Sequence, residues 1–152
     1  MLVDANILVY AHHLGSPQHE AAKSWLENRL NAPRRVGIPW PSIIAFLRLT
    51  TNPRVSADPF TTDEAWAHVD TWFTSASAWI PQPTQRHAEV LRRLVKGHGL
   101  TANLISDAHL AALAIEHGLQ VCSVDSDFAR FPEIRWENPL EVKAEDLRSI
   151  RA

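Results

Sequence analysis

Two short apolar runs at opposite ends of the chain each end on an aspartate: Met1-Leu2-Val3 leads into Asp4, and Gln120-Val121-Cys122-Ser123-Val124 leads into Asp125. A helical run, Asp107-Ala108-His109-Leu110-Ala111-Ala112-Leu113-Ala114, opens on a third. Strand-like and helical segments alternate between these points, a pattern that favours α/β over α+β. In a parallel sheet, the carboxyl ends of the strands and the first turns of the crossover helices share one rim. Parallel strands would therefore turn Asp4, Asp107 and Asp125 into a single cleft, although Asp4 is remote from the other two in sequence. Carboxylates crowded together repel one another, so such a site makes sense chiefly when it holds a cation. An oxygen-only donor set favours a hard divalent ion such as Mg²⁺ or Mn²⁺.

At 152 residues the chain is expected to form one domain over 1–152, large enough to bury a core without disulfides or structural metal. The lone Cys122 cannot form an internal disulfide, which points to a reducing, cytoplasmic setting. No basic, apolar and small-residue succession of a secretory leader follows Met1. The longest apolar stretch, Ile43 to Leu49, is interrupted by Arg48 and is too short to span a bilayer. A soluble protein without membrane contact is expected.

A formal net charge of −2 argues against gripping nucleic acid by bulk positive charge. Arg34, Arg35, Arg48, Arg54, Arg86, Arg92, Arg93 and Lys96 remain as local cations, although a solvated helix face is the usual fate of each.

The spacing predicts strands at Leu2–Asp4, Val36–Ile38, Trp79–Ile80, Val121–Val124 and Ile134–Trp136, followed by a polar, charged tail. Helices are expected over Ala5–Ala11, Pro17–Leu30 with Ser16 as cap, Ser42–Thr51, Thr84–Lys96 and Ser106–His117, with Gly118 closing the last, and another leads from Thr61-Thr62-Asp63-Glu64 through Ala65, Trp66, Val69, Trp72 and Phe73. Thr61-Thr62-Asp63-Glu64 is a strong helix start. Trp25, Trp66 and Trp72 fall on apolar helical faces, and Trp40, between two prolines near the rim, stands apart from them.

Each aspartate also has a structural reading: Asp4 as a helix cap, Asp107 as a partner of a helix dipole, Asp125 with Asp127 as a turn. The conjunction outweighs these readings, because the helix behind Asp107 is apolar almost all round and its one acid must point at something specific. The eight histidines show no zinc spacing and are expected mostly at surfaces or interfaces. Gly97-His98-Gly99 is too short for a phosphate loop, and Ser106, Asp107 and His109 on one helix do not make a triad.

With Asp4-Ala5-Asn6 at the start, Asp107 to Ala114 late and Val124-Asp125-Ser126-Asp127-Phe128 after the next strand, the chain resembles the PIN-domain ribonucleases. More narrowly, it is similar to the VapC toxins of bacterial toxin–antitoxin pairs. Pro39-Trp40, Phe46-Leu47-Arg48, Thr51-Asn52-Pro53-Arg54-Val55 and Trp136-Glu137-Asn138-Pro139-Leu140 extend the likeness over nearly the whole chain. The resemblance implies a three-layer α/β/α sandwich with a central, mostly parallel sheet and a Mg²⁺- or Mn²⁺-dependent endoribonuclease activity. It also implies a VapB-like antitoxin as partner and a homodimer. It carries Asp4, Asp107 and Asp125 over as metal-site acids, Asp127 as a fourth acid, and Asn6 and Asn103 as polar supports.

Arg48 and Arg54 are candidate phosphate contacts, the substrate expected is a structured RNA with an accessible loop, and the VapC resemblance implies tRNA or ribosomal RNA. One departure stands out. Where the family commonly has a glutamate before Phe46-Leu47-Arg48, this chain has Ala45. Ser42, three residues earlier on the same helical face, is the candidate replacement, and the departure implies a weaker or single-metal site. A catalytically weak PIN fold that binds antitoxin or RNA is the rival reading. An aspartyl phosphotransferase ranks below it, since Asn6 stands where such an enzyme needs a second aspartate.

Overall fold

The computed structural model describes residues 1–141, and the tail expected beyond the last strand lies mostly outside them. Its strands are β1 (Leu2–Val3), β2 (Val36–Gly37), β3 (Ala78–Trp79), β4 (Gln120–Cys122) and β5 (Arg135–Glu137). They form one sheet in the order β3-β2-β1-β4-β5, and every pairing is parallel. The helices are α1 (Ala5–His12), α2 (His19–Leu30), α3 (Trp40–Thr50), α4 (Thr62–Phe73), α5 (His87–Gly97) and α6 (Leu104–His117), and a 3₁₀ turn spans Ser126–Arg130.

Side chains that alternate along a strand point to opposite faces, and β1 shows how this divides the core. Leu2 joins one apolar cluster with Val121 and the inner faces of α5 and α6. Val3 joins a second with Val36, Ile38 and the inner faces of α1 to α4. The result is the expected α/β/α sandwich. Both β1 residues are fully buried, as a strand covered on both faces requires.

Helix boundaries show where local chemistry won over pattern. Thr61 caps α4 in a capping box closed by Glu64, and Gly118 ends α6 in the left-handed region at φ 62. Helix α3 begins at Trp40, before the expected Ser42, with Pro41 in its first turn. Proline is tolerated there because a first-turn amide has no helical partner to lose. Helix α2 starts at His19 rather than Pro17, because Ser16 Oγ accepts the Gln18 amide in a local turn. Gly37 in β2 sits in close packing, since an added Cβ would lie 3.1 Å from Pro81 Cγ and 3.2 Å from the Met1 carbonyl.

One expectation about faces needs correction. Trp66 points outward, while Ala65, Val69 and Trp72 form the buried face of α4. The expectation for the histidines has one plain exception, the buried His19, and His12 packs against Phe46, His68 and Trp72. Among the described residues, no helix is long and apolar enough to cross a membrane.

Candidate metal centre

Parallel pairing brings the ends of β1 and β4 side by side, and the Asp4 amide donates to the Cys122 carbonyl at 3.0 Å. Asp4 leaves the sheet as the N-cap of α1, with Oδ1 accepting the Ala5 amide at 2.7 Å. Its Oδ2 accepts Ser123 Oγ–H at 2.7 Å and Asn6 Nδ2–H at 2.8 Å. Ser123 is fully buried. Its oxygen also accepts from Asn6 Nδ2 at 2.9 Å and from the Asp125 amide at 3.0 Å. One hydroxyl thus ties together the two strand ends on which Asp4 and Asp125 sit.

Beyond β4, Asp125 caps the 3₁₀ turn by accepting the Asp127 amide at 2.8 Å, and this brings Asp127 round to the same side. Asp107 arrives from the first turn of α6. One carboxylate oxygen from each of Asp107, Asp125 and Asp127 lies within 4.8 Å of the others. Asp4 stands outside this trio, held by its four-way hydrogen bonding, yet it is within electrostatic reach of Asp107 and Asp125. Burial raises the Asp4 carboxyl above its ordinary value, opposed by the Ser123 and Ala5 hydrogen bonds. Asp107 is pushed up to about 6, by burial first and then by repulsion from Asp125, Asp4 and Asp127, with relief from Arg130.

The other residues singled out in the sequence divide by position. Asn6 is part of the Asp4 network. Ser42 is buried in α3, and its hydroxyl has no hydrogen-bond partner among the described residues. Asn103 is exposed at the start of α6 and makes no side-chain cap bond. Arg48 is exposed in the last turn of α3. Arg54 is exposed in the following turn, where its amide donates to Asn52 Oδ1 at 2.9 Å. Neither arginine forms an ion pair among the described residues.

Two residues of the site carry little signal in the sequence. Ser123 has the pattern of a strand residue, although a hydroxyl two residues before Asp125 faces the same side in extended chain. Arg130, absent from the local cations, pairs with Asp127 at 2.6 Å, a contact its i, i+3 spacing made available.

The donor chemistry suits a hard divalent cation. The trio offers only carboxylate oxygens, and four acids congest one rim. That unspent negative charge is what a hydrated ion would answer.

Comparison with known proteins agrees with this architecture. The PIN domain family matches residues 1–134. Ribonuclease VapC37 of Mycobacterium tuberculosis is 42% identical over 91% of this chain and 96% of its own length. Ribonuclease VapC33 of the same species is 35% identical over 92% of this chain and 98% of its own. A toxin–antitoxin complex from Klebsiella pneumoniae contains a chain of the same fold, with a TM-score of 0.58 and 22% identity over 93% of this chain and 98% of that one. With a parallel sheet in this order, its acids gathered at one rim, and relatives this similar end to end, the chain belongs to the PIN-domain family, within the group of the VapC ribonucleases.

Proposed function

We propose that the protein is a Mg²⁺- or Mn²⁺-dependent endoribonuclease, the toxin of a VapBC-type pair, cutting an accessible loop of a structured RNA such as tRNA or ribosomal RNA. The observation that carries this reading is the convergence of Asp107, Asp125 and Asp127 within 4.8 Å beside a buried Asp4, with Asp107 raised to about 6. A purely structural rim would not keep four acids against one cationic neighbour.

In this reading Asp107, Asp125 and Asp127 hold the ion, and Asp4 completes the negative field. Bound there, a divalent cation supplies Lewis acidity, lowering the pKa of water and screening charge that develops on the phosphate oxygens. Ser123 and Asn6 fix Asp4 so that its charge cannot swing away, the kind of support that tunes such sites. Asp127 Oδ1 is engaged by Arg130, whereas Asp125 Oδ2 has no partner among the described residues. Asp125 Oδ2 is therefore the better placed to orient the attacking water and take its proton. In this reading Arg48 and Arg54 contact backbone phosphates, and Asn103, exposed at the start of α6, is a polar support. A VapB-like antitoxin as partner is supported by the toxin–antitoxin complex of the same fold, and a homodimer is the expected assembly.

The second reading, a weak or inactive PIN fold that binds antitoxin or RNA, is favoured by one observation. Ala45 occupies the family's glutamate position, and Ser42 supplies only a neutral hydroxyl nearby. Purified protein, free of antitoxin, is incubated with total RNA and Mn²⁺ beside Asp4→Asn. Cleavage by the wild type, lost in Asp4→Asn, is expected. Cleavage equal in both contradicts the site, while binding of Mn²⁺ without cleavage selects the second reading.

A further inference from the structure

The 3₁₀ turn after β4 sorts its side chains by spacing, since residues three apart eclipse one another in such a turn. Phe128 and Phe131 are buried in the apolar cluster shared with α6, while Asp127 and Arg130 are set on the rim. Two buried rings therefore anchor the turn against the helix that carries Asp107.

The Arg130 guanidinium is oriented by two bonds to a single residue. Its Nη2 donates to Asp127 Oδ1 at 2.6 Å, and its Nε donates to the Asp127 carbonyl at 3.1 Å. The other N–H groups, both on Nη1 among them, have no partner among the described residues, and the side chain is 39% exposed. Among the described residues Arg130 is the only arginine or lysine in an ion pair, and its field reaches Asp107 as well. An exposed pair of this kind adds little to stability, so folding gives little reason to hold a cation at this position.

Charge supplies a better reason. A single divalent ion does not balance four carboxylates, so the loaded rim stays anionic towards an approaching phosphodiester. During phosphoryl transfer the charge lies on the nonbridging oxygens, and donors already aimed at that charge are the most effective, because they need not reorganise. Arg130 meets this condition: it is held on an anchored turn, one hydrogen bond from an acid of the trio, with an open N–H edge whose planar fork suits phosphate oxygens.

We propose that Arg130 is a catalytic residue of the ribonuclease, whose open N–H edge binds a nonbridging oxygen of the scissile phosphate in the transition state while its inner edge stays on Asp127. The proposal rests on the ribonuclease reading above. In the step it assists, the oxygen of water forms a bond to phosphorus as the bond from phosphorus to the leaving ribose oxygen breaks. Asp125 takes the proton of the water and returns it to solvent, from which the leaving oxygen is protonated. Arg130 keeps its charge throughout.

The test uses full-length protein free of antitoxin, with Arg130→Gln, Arg130→Lys and Arg130→Ala beside the wild type. Mn²⁺ affinity is measured by calorimetry without RNA, which also shows that each variant is folded. Initial cleavage rates are measured against the concentration of total RNA at saturating Mn²⁺. Arg130→Gln is expected to bind Mn²⁺ at least as tightly as the wild type, since a neighbouring positive charge is gone. It is expected to lose about 100-fold in kcat, with the apparent KM changed far less. Arg130→Lys, which keeps the charge and loses the fork, should fall between them, and free guanidinium ion should restore part of the rate of Arg130→Ala. If the wild type cuts RNA and Arg130→Gln cuts as fast, the ion pair has no part in catalysis. If Arg130→Gln loses Mn²⁺ affinity yet reaches the wild-type kcat once Mn²⁺ saturates, Arg130 only positions Asp127. A loss shared in full by Arg130→Lys and untouched by guanidinium assigns the effect to the turn rather than to the cation. Each of these three results overturns the proposal and leaves the ribonuclease reading standing. A wild type that cuts no RNA with Mn²⁺ ends the ribonuclease reading, and the proposal with it.

Discussion

The two ends of α1 put opposite charges under the same burial. At its start stands Asp4, at its last turn His12, about 12 Å apart at 1.5 Å per residue. The helix dipole would favour the charged form at both ends, since anions are stabilised at the N-terminus and cations at the C-terminus. Burial wins at both: the Asp4 carboxyl is raised, and His12 falls to about 3 through burial, then the neighbouring His68, His19 and Lys23. The ends differ in how the conflict is resolved. His12 stays neutral, and its Nε2 accepts the Trp72 indole N–H at 3.2 Å, with Phe46 edge-on at 5.5 Å. At the carboxylate end the hydrogen bonds from Ala5, Ser123 and Asn6 offset the burial of Asp4 only in part, and an added cation would relieve the acids crowded beside it. A closed polar cluster serves stability, while an open one marks chemistry.

The largest effect should come from the closed end. Phe46 is fully buried, and Phe46→Ala is expected to cost about 3–5 kcal/mol in chemical denaturation with Mn²⁺ affinity unchanged. An equal loss of Mn²⁺ affinity would show that the two ends are not separable. Ser123→Ala attacks the seam of the open end by removing the hydroxyl shared by Asp4, Asn6 and Asp125. A loss of about 1–3 kcal/mol follows from the unsatisfied partners, together with cation affinity weakened roughly 10–100-fold, both measurable by calorimetry.

Trp72→Phe keeps a ring but removes the donor to His12, at about 1 kcal/mol. Histidine NMR should show a rise in the His12 pKa, and an unmoved value would deny the indole its part. The pH profile carries the sign. His12 titrates near 6.5 when unfolded and about 3 when folded, so its contribution is intact above 6.5 and is lost as pH falls towards 3. Asp107 runs the other way: folded, it holds its proton up to about 6 against 3.8 unfolded. Stability therefore falls as pH rises through that window. Without divalent cations, Asp107→Asn should raise Tm by a few degrees near neutral pH and steepen the acid loss due to His12. A Tm that drops would mean that Asp107 is not under repulsion.

Patterning made the architecture legible because strands such as Leu2–Val3 and helices such as Asp107–Ala114 carry period and composition within themselves. The acids at strand ends were legible for the same reason, since parallel topology alone assigns them a rim. What stayed hidden depends on packing. Ser123 looks like any strand serine until the β1–β4 register sets it under Asp4. Arg130 became a partner only when the chain after Asp125 coiled into a 3₁₀ turn. The neutral His12 needed α1 and α4 docked, because no local spacing predicts which imidazole meets which indole.

Calorimetric titration with Mn²⁺ at pH 7.5 and pH 5, on wild type and Asp125→Asn, tests the central claim most directly. The carboxylate centre predicts binding at pH 7.5, weakened at pH 5 as Asp107 takes up its proton, and lost in Asp125→Asn. Equal affinity in the two proteins, or no binding by the wild type at either pH, would contradict it.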